Sequence, residues 1–197
     1  MNSAKSGIFE GMNHSALKSL CEEQGFQISI LVTPGTFLIE GTPFLATNKL
    51  LPEKTQNLII GMASVVLNQT IDDDFFYGFC QLREIALKAL SPGINDPGTA
   101  IISMHALSSL ILYRANHYPQ QLIRDDNGNI LIKDCSLNFE KIVLQSFDPI
   151  WDYGKNDRLM CQEFYQICSQ LKSLTSNPVF QVLIERTALQ MIALKSH

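Results

Sequence analysis

The chain has 197 residues, 46% of them apolar and only 17% charged, with a formal net charge of -4. A domain of this length buries roughly 70% of its unfolded surface, so a core needs no staples, and disordered, coiled-coil and collagen-like classes are excluded. The acidic balance argues against a nucleic-acid partner.

Gly7 to Gly11 opens the chain in a β-rich stretch, and Asn13 caps a helix carrying Ala16, Leu17, Leu20 and Cys21 on its apolar side. After Gly25 the period changes to two, with Phe26, Ile28 and Ile30 alternating with Gln27, Ser29 and Leu31. The turn Thr33-Pro34-Gly35-Thr36 then leads to Phe37 through Gly41, which predicts a hairpin. A second turn, Gly41 to Pro43, enters Phe44-Leu45-Ala46. No lysine stands at the hairpin tip to carry biotin or lipoate, so packing is the expected role.

From Pro52 the pattern is helical. Leu58, Ile59, Met62, Val65 and Val66 form one stripe, and Asp72-Asp73-Asp74 stands where carboxylates favour the start of the next helix. That helix directs Phe75, Phe79, Leu82, Ile85, Ala86 and Ala89 to the core and spaces Glu84 and Lys88 as an i, i+4 pair. The following helix runs to about Tyr118 and is apolar nearly all round, so it is expected to be central. Its narrow polar stripe, His105, Ser108, Ser109 and Asn116, would admit a neighbouring helix closely, with His105 a hydrogen-bonded core residue.

Beyond Pro119, strand-like Gln121 to Arg124 and Ile130 to Lys133 flank Asp125-Asp126-Asn127-Gly128-Asn129. This segment lacks the spacing and terminal Glu of a calcium loop and reads as a hairpin turn. Three helices close the chain: Phe139 to about Tyr153, Asp157 to about Leu174, and Pro178 to Lys195 after an Asn177 cap. Cys161, Phe164, Ile167, Cys168 and Leu171 share one face of the second. The five cysteines form no C-x-x-C pair and follow no secretory signal, as expected of reduced thiols in the cytosol. His14, His105, His117 and His197 are too scattered for a zinc set, and neither a metal nor a cofactor is expected. No apolar run reaches the ~18 residues of a membrane span.

The densest local signal is Ala89-Leu90-Ser91-Pro92-Gly93-Ile94-Asn95-Asp96-Pro97-Gly98-Thr99-Ala100. Pro92 ends one helix, Gly93 permits a positive φ, Asp96 caps the next helix and Pro97 begins it, which encodes a tight reversal. A second reading is open. Ser91, Asn95, Asp96 and Thr99 crowd polar groups at a helix start where free N-H groups can hold an anion, and Asp96 or Glu84 would then serve as general base.

Tyr77-Gly78-Phe79, Gln81-Leu82, Ile85-Ala86 and the run from Ala89 to Pro97 resemble the central motif of a bacterial family described as a predicted membrane protein, domain of unknown function 2254. Weaker agreement extends to Ser6-Gly7-Ile8, Pro34-Gly35-x-Phe37, Gly41-x-Pro43, Phe147-Asp148-x-Ile150 and Tyr153-Gly154. The resemblance implies a soluble domain that follows N-terminal transmembrane helices, this chain beginning about where they would end. Gln69, Cys80 and Trp151 stand where the family usually has arginines, so the resemblance implies no basic cluster here, whereas Glu84 and Lys88 match its acidic and basic pair.

The expected fold is α+β: a small β-hairpin unit with one short helix over residues 1-50, then a mainly helical domain over 51-197 with a hairpin inserted near 121-133. The expected function is a non-catalytic domain at the cytoplasmic face of a bacterial inner-membrane protein, acting in assembly or gating as a homo-oligomer, with membrane attachment through segments outside this chain. The alternative is a small-ligand sensor or enzyme using Ser91 to Thr99.

Overall fold

A computed structural model describes residues 1-68, 75-118, 120-135 and 138-195. Among them, seven helices and two small sheets make an α+β fold. The expectations for Gln69, Asp72-Asp73-Asp74, Pro119 and His197 lie outside the described residues. Two compact units divide the chain: residues 1-77 with 119-137, and residues 78-118 with 138-197.

In the first unit, β1 (Gly7–Met12) leads to α1 (His14–Gln24), whose N-cap Asn13 accepts from the Ala16 N-H at 3.1 Å and whose Leu17, Leu20 and Cys21 are buried. Short strands follow at β2 (Ile28–Ile30), β3 (Thr36–Leu38) and β4 (Leu45–Thr47), then α2 (Glu53–Gly61) and β5 (Ala63–Val66). Two later strands, β6 (Leu122–Arg124) and β7 (Ile130–Lys133), complete the set. One sheet has the order β3-β1-β5 and the other β4-β2-β7-β6; every pairing is antiparallel except β2 with β7. Phe9, Phe26, Phe44, Leu38, Ile59 and Ile132 lie in their shared core, with Phe9 and Phe44 edge to face at 5.9 Å.

The expected hairpin of β2 with β3 does not form. The two strands belong to different sheets, because the chain between them hands its backbone bonds elsewhere: the Leu31 N-H donates to Phe44 O and the Gly35 N-H to Phe9 O, at 2.9 and 2.8 Å. Alternation sets which face is apolar and leaves the partner open. Val65 and Val66 belong to a strand, not to the helical stripe with Leu58 and Ile59. The helix stops at Gly61, a poor helix former, and β-branched residues follow. Ile59 is fully buried and Leu58 exposed. The hairpin of β6 and β7 pairs through β7 with β2, and its residues lie in the first unit.

The second unit is helical, with most of α3 (Phe75–Ala89), then α4 (Pro97–Asn116), α5 (Phe139–Gly154), α6 (Arg158–Thr175) and α7 (Val179–Ala193). Asp157 caps α6 by accepting from the Met160 N-H at 2.9 Å, and Asn177 accepts from Val179 N-H at 3.0 Å where α7 begins. The α6 face of Cys161, Phe164, Ile167, Cys168 and Leu171 is buried as the spacing predicts. Phe164 meets Phe147 and Trp151 of α5, each at 5.2 Å between rings. It is α6 that packs against both α4 and α7. The expected all-round burial of α4 is corrected, since Ala100, Ser103, Met104, Leu107 and Ile111 are buried but Ile102 and Tyr113 are exposed. In α3, Phe79, Ala86 and Ala89 are buried while Phe75 and Ile85 are exposed, and Glu84 pairs with Arg83 at 3.2 Å instead of with Lys88.

Pro149 lies inside α5 and has no N-H to offer Gln145 O, the carbonyl one turn back. Arg83 of α3 donates to that carbonyl through Nη1 at 3.3 Å.

Two outcomes follow for stability in urea. Gly7→Ala places a Cβ 2.8 Å from Val66 O and 2.9 Å from Val65 Cγ1, a backbone clash expected to destabilise by about 1-3 kcal/mol. Arg83→Ala is expected to cost about 1 kcal/mol and markedly less in a Pro149→Ala background, where the backbone supplies the missing donor; equal costs in both backgrounds would refute the link.

Candidate functional site

Within the second unit, residues 89-99 join the end of α3 to the start of α4. The Asp96 N-H donates to Ala89 O at 2.7 Å, and the N-H groups of Ile94 and Asn95 both donate to Ser91 O, at 3.0 and 2.9 Å. Asn95 has the left-handed φ of 47°, and the positive φ expected at Gly93 is absent. Asn tolerates this region better than most residues because its short polar side chain can hydrogen-bond locally.

Side chains finish the reversal. The Ser91 hydroxyl donates to Lys88 O at 2.7 Å, covering a carbonyl of the final α3 turn. Asp96 Oδ1 accepts from the Thr99 N-H at 3.1 Å and Oδ2 from the Thr99 hydroxyl at 2.6 Å. The Thr99 hydroxyl, then its N-H, hold the Asp96 carboxyl below its usual range. Ser91, Asp96 and Thr99 are thus engaged with one another or with helix ends, while Asn95 is exposed. The carboxylate of Asp96 also stands where an anion would seek the α4 N-terminus, so the loop's own charge opposes that ligand. Glu84 is paired with Arg83, and these bonds give it no part in the Asp96 network.

The α4 stripe borders a cleft of about 270 Å3 between α4 and α6, lined by His105, Ser108, Ser109, Leu112 and facing residues including Ile167 and Leu174. His105 is corrected from core to surface: its Nε2 lies 2.7 Å from Glu163 Oε1 on α6, with 55% of its side chain exposed. Ser108 and Ser109 donate back to Met104 O and His105 O, at 2.6 and 3.2 Å. Sequence reasoning missed this pair, since 58 residues separate His105 from Glu163 and no local spacing announces it.

The Asp125 turn is a hairpin turn as expected. Its carboxylate accepts from Asn127 N-H, Asn129 N-H and the Asn129 amide, at 3.0, 2.7 and 2.9 Å. Burial pushes the thiol of Cys21 up to about 11 and that of Cys168 up to about 12, which disfavours the thiolate needed for redox chemistry. Among the described residues no group of three His, Cys, Asp or Glu is placed to hold a metal ion.

Residues 1-170 match the family described as a predicted membrane protein, domain of unknown function 2254. The chain belongs to this family. Curated relatives include uncharacterised proteins of Mycobacterium bovis and Mycobacterium tuberculosis, each 30% identical over 118 residues. The match covers 59% of this chain and 23% of each relative, so it spans about a quarter of their length. No solved structure matches. No described helix of this family member is long and apolar enough to cross a membrane.

The capping geometry makes a stability prediction. A carboxyl depressed in the folded state contributes stability above its unfolded pKa and loses it as pH falls through the folded value. Asp96→Ala is therefore expected to lower Tm at neutral pH, and the difference from the unsubstituted chain should shrink as acid protonates Asp96. Asp96→Asn, which retains an acceptor for the Thr99 N-H, is expected to lose less. Melting curves at several pH values measure both.

Proposed function

We propose that this chain is a non-catalytic interaction domain of a membrane protein, acting in assembly or gating through self-association at the cytoplasmic face. The observation that carries the reading is the outward side of α7, where Val182, Leu189 and Ile192 are 62, 69 and 64% exposed. Their i, i+7, i+10 spacing puts them along one side of the helix. Val179, Phe180, Leu183 and Thr187 are buried on the side facing the unit's core. Single exposed apolar residues are ordinary, but three aligned on one helix are the usual form of a helix-pairing surface. Membership of a family described as predicted membrane proteins supports the membrane context, and the bilayer is reached in this reading by segments other than the described helices. Five scattered cysteines, with Cys21, Cys161 and Cys168 buried, suit a reducing compartment and hence the cytoplasmic side.

The capped corner of residues 89-99 favours this reading over a ligand sensor there, because its hydroxyl and carboxylate groups already serve the helix ends. Light scattering of the full chain is expected to show dimers or larger species as concentration rises, and Leu189→Glu to return them to monomer with unchanged helical circular dichroism. A strict monomer at high concentration, or association indifferent to Leu189→Glu, would overturn it.

A further inference from the structure

In the second unit, α6 and α7 pack together with the start of one beside the end of the other. Between these ends is a cavity of about 80 Å3, lined by Arg158 and Gln162 of α6 and by Met191, Leu194 and Lys195 at the close of α7. A water takes up about 30 Å3, so the space suits one small polyatomic ion and excludes a metabolite of ordinary size.

The polar wall is made of donors. Arg158 offers a guanidinium, Gln162 an amide N-H2 and Lys195 an ammonium, and no acidic residue lines the cavity. These three side chains have no hydrogen-bond or ion-pair partner among the described residues. The other four arginines are engaged: Arg83 with Glu84, Arg124 with Gly128 O, Arg186 with Asp148, and Arg114 over the Tyr118 ring. Arg158 also stands at the first helical position of α6, where the macrodipole disfavours a cation. Functional sites are where such local conflicts are expected.

Two features oppose an anion, and the side chains present outweigh them. Asp157 belongs to the same turn, but its Oδ1 accepts from the Met160 N-H at 2.9 Å and it is not part of the cavity wall. The carbonyl end of α7 is partly negative, and Lys195 follows it. Asp157 covers the α6 start as Asp96 covers that of α4, so the holding groups are side chains, two cations against one carboxylate. The unit as a whole is close to neutral, with nine Lys and Arg against eight Asp and Glu.

The donor set narrows the chemistry. Donors from three side chains on two helices suit a tetrahedral oxyanion better than a planar carboxylate with two oxygens, and a guanidinium bonds phosphate through two parallel N-H groups. Met191 and Leu194, partly buried in the wall, and exposed Leu159 beside Arg158 add apolar surface next to the donors.

We propose that the cavity between the start of α6 and the end of α7 binds a phosphate group through Arg158, Gln162 and Lys195. An anionic lipid headgroup and free phosphate both present that group. Met191, two residues on from Leu189, lies across the helix from it, so the proposal is independent of self-association through α7.

Titration of the full chain with sodium phosphate, followed by NMR of the Arg158, Gln162 and Lys195 amide signals, tests it. The signals are expected to shift and saturate in the millimolar range, the strength of a few charge-assisted bonds at an open site, and sodium chloride at equal ionic strength to leave them in place. Arg158→Gln and Lys195→Gln, both at exposed positions, are each expected to weaken binding about threefold or more with unchanged helical circular dichroism. Sedimentation with vesicles of equal parts phosphatidylglycerol and phosphatidylcholine separates the two sources. Retention that the two substitutions abolish assigns the cavity to a headgroup, and a phosphate-induced shift without such retention assigns it to free phosphate. An equal response to chloride, or phosphate shifts and vesicle retention that are both absent or both indifferent to the two substitutions, would overturn the proposal. Should Arg158→Gln fail to fold, Lys195→Gln decides alone.

Discussion

Ile28 and Ser29 of β2 run parallel to Ile132 and Lys133 of β7, and this short pairing closes a loop of about 100 residues. The rest of the first unit depends on it. Without β7, β2 would have only β4 beside it, and Ile132, fully buried, would lose its place in the core with Ile28. The pairing also explains the chain order, in which the first unit is interrupted at residue 77 and resumed at 119. Parallel strands cannot be joined by a tight turn, so an intervening segment is obligatory. In this chain that segment includes most of α3 and all of α4, helices that belong to the other unit's core.

The sequence is most legible where one residue type answers one local need. Asn13, Asp96 and Asp157 are caps because a short side-chain oxygen reaches the free N-H groups of the first turn. The Asp125 turn and the buried α6 face are legible for the same reason: each depends on neighbours within a few residues or on helical period alone. Partnership across the chain is not written locally. The alternation at Phe26 to Ile30 marks β2 as a strand but leaves open whether β3, β4 or β7 lies beside it. Ile102 and Ile85 illustrate the same limit on helices, since hydrophobicity marks a side chain as able to be buried and the neighbours decide.

Of the candidate site, the roles of Asp96 and Ser91 as helix-end partners were readable from Pro92, Pro97 and the cap spacing; the left-handed residue was not. Both Gly93 and Asn95 are admissible there, and the bonds from Ile94 and Asn95 to Ser91 O select Asn95. The pairing of His105 with Glu163 had no local signal.

The bond between Arg83 and the carbonyl that Pro149 leaves open ties two helices at a defined height. Apolar packing alone resists separation far more than it resists sliding, because one ridge fits the next groove nearly as well. A guanidinium that finds its acceptor at a single carbonyl removes that freedom, so α3 and α5 cannot advance past each other by a turn without breaking the bond. An interruption of one helix's own ladder thereby becomes the notch that sets its neighbour's position.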